Sequence, residues 1–208
     1  LTISETLNNL VQGPEYTFRL VVINDYNTFK TEVYYNLPVT YVVGDLMFGG
    51  VIIEIDDSGY HGLVSGDPDQ DIKSHAWATV QYDGYQLAAG AYKDGKEATQ
   101  LIIDYYAAID TVSAPAAEYC ANFTKSGYDD WFLPSYYQVQ TAQIVLWEKY
   151  GTTYADKLNS FMTCNTLPYG SVANMFGRIV RVHNTGSADK IYVGPKNSAA
   201  NFLPMREF

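Results

Sequence analysis

The chain has 208 residues, a formal net charge of −10 and 19 tyrosines, and aromatic residues make up 15% of it. This length suits one well-buried domain with part of another, and the acidic balance argues against nucleic acid as a partner, because phosphate binding needs clustered Lys and Arg. No apolar run approaches the ~20 residues of a membrane helix, so membrane insertion is not expected, and no signal peptide is visible after Leu1.

Residues 1–40 are predicted to form β-structure. Residues 16–24 and 31–37 are rich in strand-forming types and flank a polar turn, which favours an antiparallel pair. Residues 10–19 resemble the passage that leads into the last strands of a fibronectin type III domain. The resemblance implies the C-terminal part of a truncated β-sandwich, and the alternative is a set of strands completed by something outside this chain. A linker is expected at residues 37–40.

A second domain, residues 41–208, is predicted to open with a hairpin. Its first strand covers residues 47–55 and contains two glycines, which in a strand usually mark a bulge or a close backbone approach. The turn lies at residues 57–59 and the return strand at residues 60–65. Residues 67–75 are expected to be a polar loop.

Three helices are predicted next, at residues 97–109, at residues 113–124 and after Ser135. The third helix has an apolar face made by Val139, Ala142, Leu146 and Tyr150. The rest of the chain is predicted to hold short strands at residues 178–183, 190–193 and 201–206.

The most informative stretch is residues 126–138, which is predicted to contain a turn, a short apolar strand and a helix start. Gly127 suits the turn, and the bulky run at residues 131–133 is expected in the core. Pro134 ends the strand, and Ser135 followed three residues later by Gln138 is typical of a capping box.

The Gly-Tyr-Asp-Asp-Trp-Phe-Leu-Pro-Ser string at residues 127–135 resembles the signature of the Fibrobacter succinogenes major paralogous domain family, which is grouped with the C-terminal domain of the Legionella collagen-like adhesin. Further matches follow in that family's order, at residues 48–64, 116–120 and 203–208. The resemblance implies an α+β, C-type-lectin-like fold with short twisted antiparallel strands and about three helices. The residues of this chain that match the family's structural signature are Gly49, Gly50, Gly59, Gly62, Gly127, Trp131, Pro134 and Arg206.

Motifs for catalysis are incomplete in this sequence. Residues 90–97 have the spacing of a phosphate-binding loop, but an acidic residue stands where Ser or Thr must hold magnesium. Asp129 and Asp130 are a candidate acid–base pair, although acids just before a buried Trp more often bond to the backbone. The histidines His61, His75 and His183 lack metal-ligand spacing.

Asp67, Asp69 and Asp71 occupy the first, third and fifth positions of a calcium loop. Because the later positions lack the required Gly and Glu, only a looser calcium site remains a candidate, and a solvated acidic loop is the alternative. No other cofactor is expected. The cysteines, Cys120 and Cys164, are too few for a disulfide scaffold, and one disulfide or two separate buried thiols are equally open.

The candidate ligand site is the loop that begins at Asn165. Residues 166–208 hold five basic and two acidic residues, so an anion would bind in this part of the chain. Tyr stacking beside amide and guanidinium donors suits a sugar or an acidic glycan, and the alternative is an ordinary surface loop. The candidate binding residues are Asn165, Tyr169, Asn174, Arg178 and Arg181.

Three functional hypotheses follow. The resemblance favours a non-catalytic extracellular recognition or adhesion module, displayed on a bacterial cell surface or a phage tail, that binds a glycan or a surface protein. Such a module would work beside neighbouring domains or as a homo-oligomer, and the many tyrosines suit it. The second hypothesis is an enzyme, by analogy with formylglycine-generating relatives that use a cysteine pair. The third is a purely structural component of a fibre or filament.

Overall fold

The structure, a computed structural model, describes residues 16–23, 28–35, 41–80, 94–151, 160–166, 176–181 and 190–208. The chain divides into two compact units, Leu1–Thr40 and Tyr41–Phe208. The assignment of either unit to a known domain family stays a prediction.

In the first unit, β1 (Tyr16–Ile23) and β2 (Thr28–Tyr35) form an antiparallel pair. Strand-forming residues fill both segments, and the register places Tyr16 opposite Tyr35 and Ile23 opposite Thr28. The second strand begins and ends slightly earlier in the chain than the predicted residues 31–37.

Within the described residues, the second unit is a mixed α+β arrangement of three helices and antiparallel sheets. The helices are α1 (Gly95–Ala107), α2 (Pro115–Ala121) and α3 (Tyr136–Tyr150). The strands are β3 (Leu46–Met47), β4 (Gly50–Ile55), β5 (Gly62–Ser65), β6 (Lys73–Ala76), β7 (Ser160–Thr166), β8 (Phe176–Arg181), β9 (Lys190–Pro195), β10 (Ala199–Phe202) and β11 (Met205–Glu207). They form a four-stranded sheet in the order β11-β5-β4-β3, a three-stranded sheet in the order β7-β8-β9, and the pair β10-β6.

The opening hairpin differs from the prediction of one strand over residues 47–55. The chain turns at Phe48 and Gly49, whose φ angles are 54° and 87°, and this turn separates β3 from β4. Glycine adopts such angles without strain, so the first glycine makes the turn. Gly50 allows a close approach instead, because a Cβ there would lie 2.0 Å from the Ser65 carbonyl oxygen on β5.

The segment predicted as a polar loop, residues 67–75, runs into strand β6. Pairing of β6 with β10 places His75 opposite Ala200 and Lys73 opposite Phe202. The Lys-Ser-His-Ala sequence has little strand propensity of its own, so the strand depends on a partner more than a hundred residues later in the chain.

The helix starts follow the local sequence. The predicted capping box of α3 is confirmed, because the Ser135 hydroxyl accepts from the Gln138 backbone N–H and the Gln138 side chain accepts from the Ser135 N–H. Asp94 caps α1 by accepting from the Lys96 N–H at 2.8 Å. The Gln138 side-chain oxygen also accepts from the Gly95 N–H at 3.0 Å, which joins the starts of α1 and α3.

Among the residues that the structure describes, the core contains three clusters, and three consecutive residues connect them. Trp131, Phe132 and Leu133 are each at most 2% exposed, as predicted. Leu133 packs in the cluster of α1 and α2, and Phe132 packs in the cluster between α3 and the four-stranded sheet. Trp131 packs with apolar residues on the opposite face of that sheet. The predicted apolar face of α3 is confirmed by the burial of Val139, Ala142 and Leu146 and the packing of Tyr150 against them.

Backbone hydrogen bonds fix this connecting segment in place. The Phe132 N–H donates to the Met205 carbonyl at 2.8 Å, and the Met205 N–H donates to the Phe132 carbonyl at 3.0 Å. The Cys164 N–H donates to the Pro134 carbonyl at 2.8 Å. The turn between α2 and α3 is therefore joined to both β11 and β7.

Replacement of Trp131 by Ala is expected to lower the free energy of unfolding by about 3–5 kcal/mol, because it empties a large buried aromatic site. Urea unfolding of the parent and the variant measures the change. Tyr137→Ala, at an aromatic position that is 44% exposed, is the matched control and should cost far less. Equal stability of Trp131→Ala and the parent would contradict the role given to this residue.

Candidate recognition site

Asp130 and Arg206 form an ion pair across 76 positions of sequence. The Arg206 Nε and Nη2 atoms donate to the two Asp130 carboxylate oxygens at 2.6 and 3.0 Å. The guanidinium carbon lies 3.9 Å from the centre of the Tyr128 ring, and the Arg206 side chain is 8% exposed. The Asp130 carboxylate is thus engaged by a fixed cation, which does not fit the candidate acid–base pair with the exposed Asp129.

The same contact changes the ionisation of Asp130. Burial opposes ionisation, but the hydrogen bonds and charge of Arg206 outweigh it and hold the pKa of Asp130 below its usual 3.8. Because the folded-state pKa is depressed, the resulting stabilisation is present above pH 3.8 and is lost as the pH falls through the folded-state pKa.

The candidate calcium residues do not form a metal site. The Asp71 carboxylate accepts from the Asp67 N–H at 2.7 Å and from the Lys125 ammonium at 2.5 Å. The Asp67 carboxylate accepts from the Asp69 N–H and from the Gln70 amide. In the part of the chain that the structure describes, no three His, Cys, Asp or Glu side chains are grouped to hold a metal. The carboxylates of Asp67 and Asp71 thus already have partners within the chain.

Of the two alternatives for the cysteines, the structure has separate buried thiols. Cys120 on α2 and Cys164 on β7 are unbonded and both lie in the cluster of α1 and α2. Burial raises the pKa of each thiol far above its usual value, and Cys164 adds to the effect on Cys120. These groups therefore remain neutral at physiological pH.

Asn165 was predicted to bind ligand, and the structure corrects this prediction. Its side chain is fully buried on β7, and its Oδ1 atom accepts from the Tyr136 N–H at 2.7 Å, in the first turn of α3. Arg178 and Arg181 lie on β8, but their side chains are outside the described part of the chain, as are Tyr169 and Asn174 altogether. The candidacy of these four residues stays a prediction.

The surface between β6 and α2 carries a shallow groove of about 540 Å³, called here the aromatic groove. It is lined by His75, Pro115, Glu118, Tyr119, Asn122, Phe123 and Thr124. The rings of His75 and Tyr119 have centroids 5.2 Å apart, and those of Tyr119 and Phe123 are stacked at 5.8 Å. Three rings thus form a row along the groove.

This row extends into the core. Phe123 meets Trp131 edge to face, with ring centroids 5.2 Å apart, and Tyr119 meets Phe202 of β10 at 5.7 Å. Each pair adds stabilisation beyond the area that it buries. The buried Trp131 therefore supports the position of the rings at the surface.

Polar groups border the aromatic groove. Asn122 is exposed and its Nδ2 atom donates to the Glu118 carbonyl at 2.8 Å, while a Glu118 carboxylate oxygen accepts from the Ala114 N–H at 2.9 Å. Burial, with smaller effects of Cys120 and Asp71, raises the pKa of Tyr119 above 10.0, so its hydroxyl remains a hydrogen-bond donor. The groove combines ring faces with an amide, a carboxylate and hydroxyl groups.

Sequence reasoning missed this site. The spacing of Tyr119 and Phe123 places them one helical turn apart, but Phe123 lies just beyond the end of α2 and nothing local indicates its stacking. His75 joins them only because β6 pairs with β10. The long-range pairing that builds the groove has no local signal in the sequence.

Comparison with models of known protein families gave no match to this chain, and neither did comparison with curated protein sequences. Among the helices that the structure describes, none has the length and apolar composition to cross a membrane.

Asp130→Asn is expected to lower the free energy of unfolding by about 2–3 kcal/mol near neutral pH, because it leaves the buried Arg206 without its charged acceptor. The difference from the parent should shrink as the pH falls below 3.8 and through the lower folded-state pKa of Asp130, because protonation then removes the charge that pairs with Arg206. Urea unfolding between about pH 7 and pH 3 measures both effects. Asp129→Asn is the control, and an equal loss in both variants would contradict the ion-pair account.

Both thiols are expected to be unreactive towards a disulfide reagent in the native protein and to react fully in denaturant, since burial keeps them neutral and inaccessible. Counting of modified thiols by mass spectrometry checks this. Rapid modification of either cysteine without denaturant would show that the cluster opens to solvent.

Proposed function

We propose that the second unit is a non-catalytic recognition module that binds a glycan in the aromatic groove. The observation that carries this proposal is the row of His75, Tyr119 and Phe123 rings beside exposed polar groups. Sugar rings present apolar C–H faces and hydroxyl edges, and a site for them needs aromatic surface together with fixed donors and acceptors.

The groove is also held in place before any ligand arrives. Phe123 is supported by Trp131, Tyr119 is supported by Phe202, and the Glu118 carboxylate is fixed by the Ala114 N–H. Ordering these groups on binding therefore costs little conformational entropy, which favours affinity from a small contact area.

The wider assignment remains part of the proposal. A C-type-lectin-like fold, suggested by the resemblance of residues 127–135, would suit a module whose surface carries recognition. Display at a bacterial cell surface or on a virion would bring such a module to a glycan or a glycosylated partner. The mixed α+β architecture and the buried Trp131 support this assignment.

The enzyme hypothesis receives less support from the described residues. A formylglycine-generating type of chemistry needs accessible, ionisable thiols, and burial raises the pKa of both Cys120 and Cys164. The Asp130 carboxylate is held by Arg206. A binding role for the aromatic groove agrees better with these observations, because the thiols are buried and the Asp130 carboxylate is already paired.

The test is binding of the full 208-residue chain to an array of bacterial and animal glycans, followed by titration of the glycans that bind. Tyr119→Ala should weaken binding by about tenfold or more, because it removes the central ring of the row. Asn122→Ala, at an exposed position that is less critical for folding, should weaken it by a smaller factor.

Tyr60→Ala is the matched control, since Tyr60 is 59% exposed and does not line the groove. Circular dichroism establishes that each variant is folded. Binding that is unchanged in both groove variants, or the absence of any glycan that binds, would contradict the proposed function.

A further inference from the structure

A second depression in the second unit is a cleft of about 440 Å³. We call it the hairpin cleft. Its walls are the turn at Phe48 and Gly49, the loop that contains Gln70, and the turn that contains Lys125 and Ser126. Its lining includes both apolar and polar residues, as does that of the groove.

Unusual backbone angles and close contacts define the walls of the hairpin cleft. Phe48 and Ser126 both have φ angles of 54°, which is costly for residues other than glycine and persists only where the surroundings enforce it. Lys125 and Tyr128 exchange two backbone hydrogen bonds of 3.0 Å across the second turn. A Cβ on Gly49 would lie 3.3 Å from the Lys125 carbonyl oxygen and 3.5 Å from the Ser126 Cβ, so the two turns are tightly apposed.

One short segment borders both depressions. Asn122 to Thr124 line the aromatic groove, and Lys125, Ser126 and Tyr128 line the hairpin cleft. Even fully extended, residues 122–128 would reach only about 20 Å. The backbone of the two linings along this segment is therefore separated by no more than about 20 Å.

Asp71 is a second link between the two linings. Its carboxylate pairs with Lys125 of the hairpin cleft at 2.5 Å. Its charge also acts on the hydroxyl of Tyr119 in the aromatic groove, where it contributes to the raised pKa of that group. A single buried side chain thus lies within electrostatic range of both sites.

We infer that the ligand is an oligosaccharide whose successive sugar units occupy the aromatic groove and the hairpin cleft, and this inference rests on the function proposed above. Each depression offers aromatic surface and polar side chains, with Tyr119 and Asn122 in the groove and Tyr128, Gln70 and Ser126 in the cleft. A monosaccharide fills one of them, whereas a longer chain gains contacts in both and loses rigid-body freedom only once.

The experiment measures the affinity of the full chain for series of glycans on the array that differ only in length, from monosaccharide to hexasaccharide. Affinity is expected to rise by about tenfold or more between the monosaccharide and the longer members. Gln70→Ala and Ser126→Gly should remove most of this gain while the monosaccharide affinity is unchanged. Ser126→Gly also relieves the positive φ angle, so its folding is not at risk.

Gln100→Ala is the matched control for Gln70→Ala, because both amides are exposed and bond to a nearby Asp, but Gln100 lies on α1 and lines neither depression. Equal affinity for short and long glycans, or length dependence that survives both cleft variants, would overturn this inference and leave the proposed function standing. Failure of the proposed function would be seen separately, as glycan binding that is unchanged in Tyr119→Ala.

Discussion

The two backbone hydrogen bonds between Phe132 and Met205 hold the segment on which the second unit depends. On either side of Phe132, Trp131 and Leu133 enter two further clusters of the core. Extended backbone points successive side chains in opposite directions, so three adjacent residues reach both faces of the four-stranded sheet and the helical layer. A shift of this segment would disturb all three clusters together.

The same segment connects the core to the surface. Trp131 contacts Phe123, and Phe123 stacks on Tyr119 in the aromatic groove. Asp130 anchors Arg206, whose guanidinium covers Tyr128 at the edge of the hairpin cleft. Both depressions are therefore supported by neighbours of a single buried Trp. This arrangement suits the proposed recognition role, because packing against the core helps to position the side chains that line both depressions.

The sequence predicted the features that depend on local chemistry. The capping box of Ser135 and Gln138, the burial of the bulky run after Asp130 and the apolar face of α3 all arise within a few residues. Strand β6 was missed because its Lys-Ser-His-Ala sequence becomes a strand only beside β10. Asn165 was misassigned because it was taken as the start of a loop, whereas it lies within β7 and its amide is buried against the start of α3. The aromatic groove was missed because it too depends on the long-range pairing of β6 with β10.

Native-state hydrogen exchange of the amides of Phe132 and Met205 tests the central claim most directly. If this bridge joins the three clusters, both amides should exchange only through global unfolding, with a protection free energy equal to that measured by urea. The Ser58 amide, in an exposed turn, should exchange through local fluctuations and serves as the internal reference. Exchange of Phe132 and Met205 at a rate close to that of Ser58 would show that the bridge opens locally, and the account would be wrong.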